Sequence, residues 1–184
     1  YAVWRDARRT GSGTLEADIF FASSTDGGAS WSQNRQVTDP DFVGWTDSPT
    51  INVAPDGSIW VAWGLRKCNT LDLDCGGVFR ENDVRVAVSR DSGVTWTESS
   101  IWDGIPGDND NQTPELHADN DRIMALVHEP FYDGDAIIGF DVYLVSRILS
   151  PVSVNVVRLT TDTGLGRASN ERGGRFSDQS SSLP

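Results

Sequence analysis

The residues best suited to chemistry lie in the segment from Arg5 to Glu16, which carries charges of both signs. Arg8 lies within it, and a guanidinium group binds a carboxylate through two parallel hydrogen bonds. A carboxyl group such as that of Asp6 or Glu16 can transfer a proton in general acid–base catalysis. The segment therefore contains groups, including Arg5, that could hold an anionic ligand, and carboxyl groups that could move a proton beside that ligand.

Other candidate ligand-binding residues are aromatic or ionisable and lie further along the chain. Trp45, in a loop predicted at 38–46, has a flat face on which a sugar ring could stack, with core packing as the alternative. His128 and Glu129, followed by Tyr132, stand at the predicted end of a strand. Their spacing lacks the second histidine of the zinc motif H-E-x-x-H, and a hydrogen-bonded structural histidine is the alternative.

One acidic loop could bind a metal ion. Asp108 and Asp110 could hold Ca²⁺ together with Glu115, because Ca²⁺ prefers oxygen ligands. The loop lacks the glycine and the terminal glutamate of an EF-hand, so a solvated turn is an equal alternative. No cofactor is required by the chemistry considered above, and calcium is the one metal that the sequence leaves open.

The two cysteines, Cys68 and Cys75, flank a polar loop. Their spacing is neither the redox C-x-x-C nor, without a nearby histidine, a zinc site. A small disulfide across the loop is favoured, with a reduced pair as the alternative. A disulfide would place the protein in an oxidising, secreted or extracellular setting.

The composition predicts an all-β protein with many turns. Its 184 residues include 18 Gly, 8 Pro and 7 Trp, and no uninterrupted apolar stretch could span a bilayer. The net charge of −12 argues against a nucleic-acid partner, because phosphate groups require cationic neighbours. The chain starts at Tyr1 in a predicted strand, so we expect a mature or truncated part of a longer polypeptide.

An octet of the form S-x-D-x-G-x-[ST]-W occurs twice and organises the elements that must position these residues. A repeat at fixed spacing predicts a repeated fold unit. The Asp carboxylate can accept hydrogen bonds from backbone N–H groups further on, the Gly can adopt positive φ, and the Trp is a large apolar anchor. The octet therefore predicts a tight hairpin turn. Its defined residues are Ser24, Asp26, Gly28, Ser30 and Trp31 in the first copy, and Ser89, Asp91, Gly93, Thr95 and Trp96 in the second.

Short apolar runs around the octets predict about three units of four antiparallel strands. The third strands of the units align without gaps from Asp18, Asp83 and Asp141. The second strands align as residues 2–4, 61–63 and 126–128, the fourth strand of the first unit is predicted at 31–37, and a loop is predicted at 129–139.

The octet resembles the Asp-box of the sialidase-like, or BNR-repeat, β-propellers. The resemblance implies four-stranded blades, with each box on the turn between the third and fourth strands, away from the ligand-binding face. About three blades do not close a ring of about six or seven, so the others would come from missing polypeptide or a second chain. The implied organisation is an incomplete first blade at 1–38, a second at 47–103, a third at 113–161, and a mobile loop with the start of another blade at 162–184.

The resemblance also implies roles for residues 5–16. An acidic residue, a small residue and an arginine come before a Gly-rich loop here, and this order is similar to that of a sialidase segment. Arg8 matches by position an arginine that binds the sugar carboxylate, and Glu16 or Asp6 would be the carboxyl acid/base. The alternative is the segment of non-catalytic BNR repeats, in which Asp6 and Arg8 would pair across the strand end and serve blade contacts alone. The Phe-Arg-Ile-Pro signature, the other two arginines and the Tyr nucleophile have no clear match here. The expected function is a secreted glycoside hydrolase acting on carbohydrate, or a non-catalytic propeller that recognises a glycan or another protein.

Overall fold

The computed structural model describes residues 1–7, 17–40, 44–67, 81–103, 114–120, 122–133, 136–149 and 152–160. All regular secondary structure in these residues is β-strand, and the strands form three antiparallel sheets. The predicted all-β class is therefore confirmed. Within the same residues, no helix of the length and apolarity needed to cross a membrane is found.

The three sheets follow one another along the chain, and each is a meander in which consecutive strands are hydrogen-bonded neighbours. Sheet one contains β1 (Ala2–Asp6), β2 (Asp18–Ala22) and β3 (Arg35–Gln36). Sheet two contains β4 (Trp45–Val53), β5 (Ile59–Lys67), β6 (Glu81–Ser89) and β7 (Thr97–Asp103). Sheet three contains β8 (Glu115–Ala118), β9 (Arg122–Asp133), β10 (Ala136–Leu149) and β11 (Val152–Arg158).

Sheet two lies between the other two sheets, because its two faces pack into separate apolar cores. Successive residues of β5 point to opposite faces, and both faces are buried. The sequence of β5 is therefore a nearly continuous apolar run. The core shared with sheet one contains Ile19, Phe21, Val37, Ile59, Val61, Trp63, Leu65 and Ala87. The core shared with sheet three includes Trp60, Ala62, Val84, Val86, Trp102, Ile123, Ala125, Val127 and Val145.

Three buried aspartates occupy equivalent positions in the third strand of each predicted unit: Asp18, Asp83 and Asp141. A buried carboxylate is costly unless it accepts hydrogen bonds. In sheets one and three the donors lie on the following strand or just beyond it: Gln36 and Thr38 for Asp18, and Arg158 and Thr160 for Asp141. These contacts join β2 to β3 and the residues just after it, and β10 to β11 and the residues just after it.

The fourth strand of the first unit is shorter than predicted. Only Arg35–Gln36 pairs with β2, and the segment before it does not join the sheet. Trp31 is 50% exposed, so the prediction that it anchors this unit is wrong for the described chain. The reason is that no described sheet covers this side of the first octet, whereas sheet one covers the equivalent side of the second.

The prediction that Trp45 lies in a loop is also wrong. Trp45 is the first residue of β4 and pairs with Arg66 of β5. It also forms an isolated parallel bridge with Ala17, next to β2. Backbone pairing on both sides therefore extends the strand to a position that the sequence pattern assigns to a connection.

The predicted loop at 129–139 is replaced by a longer hairpin. β9 continues to Asp133 and β10 begins at Ala136, so Glu129 and Tyr132 lie within a strand. The sequence pattern did not show that β9 and β10 stay paired beyond His128. Pro130 pairs with Phe140 of β10, while β8 pairs only with the first part of β9. A proline is tolerated there because β8 does not reach this part of β9, which leaves one edge of the strand without a described partner.

Strand pairing also corrects the alignment of the second strands. Val3 is opposite Phe21 in sheet one, and Leu126 is opposite Leu144 in sheet three. Leu126 is therefore the counterpart of Val3, whereas the sequence alignment had assigned Val127. A shift of one residue exchanges the two faces of a strand. Val127 accordingly lies in the core with sheet two, and Leu126 points away from it.

Candidate functional site

Three side chains from sheets one and two meet at the end of the sheets away from the octets. We call Arg5, Trp45 and Asp47 the loop-end cluster. The Arg5 guanidinium carbon lies 4.7 Å from the centre of the Trp45 ring, a cation–π distance. Arg5 Nη1 donates a hydrogen bond of 3.2 Å to Asp47 Oδ1. The cluster thus joins β1 of sheet one to β4 of sheet two.

Hydrogen bonds between side chains and the backbone hold the cluster in place. The Thr46 hydroxyl donates a 2.6 Å hydrogen bond to the carbonyl oxygen of Ala17. The pairing of β4 with β5 is interrupted between Asp47 and Thr50, and Ser48 there has a φ of 47°. Bulges and positive φ at a non-glycine residue are enriched where a strand must redirect a side chain. The Ser48 N–H donates to Asp47 Oδ1 at 2.9 Å and helps to fix that carboxylate beside Arg5.

The cluster presents a partly exposed cation among aromatic and acidic groups. The Arg5 side chain is 40% exposed and the Asp47 side chain 21%. One oxygen of Asp47 accepts one N–H of Arg5, and a guanidinium group has five N–H donors. An anionic or hydroxyl-rich ligand could therefore still bind Arg5 from solvent. The face of the Trp45 ring beneath Arg5 is not open for stacking on a sugar.

The structure brings together two of the predicted site residues, Arg5 and Trp45. Asp6 follows Arg5 in β1 and points to the opposite face of sheet one, as Trp4 does. Asp6 Oδ2 accepts a 3.3 Å hydrogen bond from Trp4 Nε1. Asp47 was not predicted as a site residue. Its contact with Arg5 spans 42 positions in the chain, so no local pattern could have revealed it.

The other candidates do not join the loop-end cluster or cannot be placed. His128 lies within β9 of sheet three, on the far side of sheet two. Glu129 and Tyr132 belong to the same strand. Outside the described residues lie Arg8, Glu16, Cys68, Cys75, Asp108 and Asp110, and with them the predicted anion clamp, disulfide and calcium loop. The described residues themselves contain no group of three or more metal-ligating side chains.

The two octets form the same hydrogen-bonded turn at the opposite end of their sheets. In the first, the Ser30 N–H and hydroxyl both donate to the Asp26 carboxylate. In the second, the Thr95 N–H (2.9 Å) and hydroxyl (2.6 Å) both donate to Asp91. The first serine of each octet accepts from the glycine N–H, at 2.8 Å for Gly28 and 2.7 Å for Gly93. Both glycines have positive φ, 93° and 86° respectively.

These hydrogen bonds stabilise the ionised carboxylates. Donation from the side chain and then the backbone of Thr95, and from Ser89, lowers the pKa of Asp91 to about 2 from 3.8. The same arrangement around Asp26, led by the Ser30 side chain, lowers the pKa of that carboxyl as well. The octets therefore contain two carboxylates that remain charged in mild acid.

We expect an acid-dependent loss of stability from Asp91. A depressed pKa in the folded state contributes stability that is complete above the unfolded value of 3.8 and disappears as the pH falls towards 2. The urea midpoint of unfolding should therefore fall more steeply over this interval in the native protein than in Asp91→Asn. Asp119→Asn, which changes an exposed aspartate outside both octets, is the control and should follow the native curve. Parallel curves for the native protein and Asp91→Asn would contradict this assignment.

Comparison of the chain with protein-family models finds no matching family, and comparison with curated proteins finds no similar sequence.

Proposed function

We propose that this chain forms stacked blades of an Asp-box β-propeller of sialidase-like type. We further propose that it binds or acts on glycans at the end of its sheets that carries the loop-end cluster. One observation carries the proposal. The octets occupy one end of the sheets, and the exposed guanidinium of Arg5 lies at the other. In an Asp-box propeller the ligand face is the one opposite the boxes, so Arg5 would stand at that face.

The chemistry of the loop-end cluster suits a glycan that carries a carboxylate. A guanidinium group forms charge-assisted hydrogen bonds to carboxylates, each stronger than a neutral hydrogen bond. The nearby Asp47 lowers the net attraction for anions and competes for the same donors. Binding of an acidic sugar would therefore be modest at Arg5 alone and would draw on residues 8–16, which follow β1 in the chain.

Substitution of Arg5 tests the binding site. We expect Arg5→Ala to weaken binding of a sialylated oligosaccharide about tenfold, the equivalent of about 1.4 kcal/mol and within the range of one hydrogen bond to a charged group. Isothermal titration calorimetry against the sialylated sugar and its neutral analogue measures the effect. Arg90→Ala is the matched control, because Arg90 forms a single ion pair of 3.5 Å with Asp56 at the octet end. Equal losses in the two variants would refute a site at Arg5.

Asp47→Asn tests whether the charge of Arg5 attracts the ligand, with the shape of the cluster kept. This change keeps the side-chain shape but removes the charge that competes for Arg5. We expect tighter binding of the sialylated sugar, and no gain for the neutral analogue. Weaker binding of both sugars would instead indicate that Asp47 contacts the ligand directly.

A hydrolytic activity is the more specific form of this proposal. Turnover of a fluorogenic sialoside that is lost in Arg8→Ala would establish it, with Glu16 or Asp6 as the candidate acid/base. Binding without turnover across a panel of glycosides would establish a recognition module.

The second candidate function is a non-catalytic recognition or scaffold module that binds another protein. It is favoured by the contacts within the loop-end cluster, since Arg5 contacts both Trp45 and Asp47. An arginine used in this way joins two sheets without any ligand. If Arg5→Ala lowers the unfolding midpoint and leaves sugar binding unchanged, this second function is preferred.

A further inference from the structure

The second octet packs against an aromatic residue of sheet one. Phe21, on β2, meets the Trp96 ring edge-on with 5.2 Å between ring centres. The same phenyl ring lies over Gly93, so closely that a Cβ built on Gly93 would be 2.1 Å from Phe21 Cε1. Gly93 and Trp96 therefore form a socket that takes one bulky apolar side chain from the neighbouring sheet.

The first octet has the same backbone and the same two residues at equivalent positions, Gly28 and Trp31. A Cβ built on Gly28 would meet no described group closer than Trp31 itself, at 3.7 Å. Trp31 is 50% exposed. The first octet is thus a socket of the same kind that no described side chain fills.

The chain also carries a side chain of the type that such a socket takes. Phe21 and Leu144 each lie three positions after a buried aspartate on the third strand of their unit. Phe21 faces the next sheet in the stack. Leu144 alternates with Val145, which is buried against sheet two, so Leu144 points to the opposite, outer face of sheet three.

The surroundings of Leu144 resemble a buried contact surface. Leu144 lies opposite Leu126 of β9 on one side and Val157 of β11 on the other, so the three residues form a row across three strands. Leu144 and Leu126 are half-buried, and Val157 is 39% exposed. Among the described residues, no sheet packs against this row. An apolar row that crosses three strands of a sheet is typical of a face that packs on another sheet.

We propose that two copies of this chain pack head to tail, with Leu144 of one copy seated against Gly28 and Trp31 of the other. The junction repeats the contact that Phe21 makes with Gly93 and Trp96, so it continues the existing stack of sheets with the same spacing. The surfaces at such a junction differ from each other, and contacts of this kind form closed rings or open assemblies according to the rotation between copies. The inference depends on the packing of the octets and is independent of glycan binding.

Solution mass tests the proposal directly. The native chain, at micromolar concentration and above, should show at least twice the monomer mass of 20.1 kDa by light scattering coupled to size exclusion. Trp31→Asp and Leu144→Asp should each reduce the mass to that of the monomer. Val154→Asp is the control, because Val154 is a 51% exposed apolar residue of the same sheet, on the face opposite to Val157. Its mass should equal that of the native chain. Circular dichroism of each variant confirms that the fold is retained.

Mixing the two variants distinguishes this arrangement from a symmetric one. The Trp31→Asp copy keeps its Leu144, and the Leu144→Asp copy keeps its first-octet socket. An equimolar mixture should therefore form one intact junction and give a dimer, although neither variant associates alone. A monomeric native chain, variants that still associate, or a mixture that remains monomeric would overturn the proposal. In those cases the first octet would take a different partner or none.

Discussion

Gly93→Ala should destabilise the protein by about 2–5 kcal/mol, the largest effect that we expect from adding one methyl group to this chain. Two costs combine at this position. Its φ of 86° is unfavourable for any residue with a Cβ. The added Cβ would also lie 2.1 Å from Cε1 and 2.7 Å from Cζ of Phe21, so the phenyl ring or the turn must move. Chemical denaturation of the two proteins measures the difference in unfolding free energy.

Gly28→Ala is a matched control for this substitution. The residue has a similar φ of 93° in the same turn, but its Cβ would meet nothing closer than 3.7 Å. In the monomeric Leu144→Asp background, where no second copy occupies the first octet, we expect only the conformational cost, about 1–2 kcal/mol. In the Phe21→Ala background, Gly93→Ala should cost no more than this. Equal losses for the two glycines in the Leu144→Asp background, with Phe21 present, would show that packing against Phe21 contributes nothing.

Trp63→Ala should cost about 3–5 kcal/mol, because it removes a large side chain from a closed core. Trp63 is 1% exposed and lies between sheets one and two together with Phe21 and Leu65. The surrounding sheets cannot collapse fully into the space, since their strands are held by backbone pairing. The measurement is again the free energy of unfolding, from denaturant titration.

Trp4→Ala provides the comparison, since Trp4 occupies the same register position in sheet one that Trp63 occupies in sheet two. It points to the outer face of its sheet, is only half-buried, and stacks on Phe20 at 6.3 Å between ring centres. We expect a loss of about 1–2 kcal/mol, typical of a position outside a closed core. A loss as large as that of Trp63→Ala would mean that the outer face of sheet one is a core of its own.

The octet turns could be predicted from the sequence because their hydrogen bonds are local. The donors to Asp26 and Asp91 all lie within four positions of the carboxylate that accepts them. The residue types of the octet therefore contain all the chemistry of the turn. The division into three antiparallel meanders was predictable for a related reason, since neighbouring strands in each sheet are also neighbours in the chain.

The loop-end cluster could not be predicted because it depends on packing between sheets. Arg5 and Asp47 belong to different sheets, and the sequence does not show which side of β4 faces β1. The bulge at Ser48 and the extension of β4 to Trp45 depend on the same contact between sheets. The continuation of β9 through Pro130 could not be predicted either, because it depends on pairing with β10 in a part of β9 that β8 does not reach.

The self-sufficiency of the octet turn bears on how such a chain can lengthen in evolution. A duplicated gene segment that encodes one sheet and its turn would fold that turn at once, because every hydrogen bond that shapes it is encoded in the copy. Only the side chain that fills the socket, Phe21 in the described pair, belongs to a different sheet. Selection after duplication would therefore act mainly on one position for each new sheet. The third unit, whose sequence lacks the octet, would then be a copy in which that restraint has been relaxed.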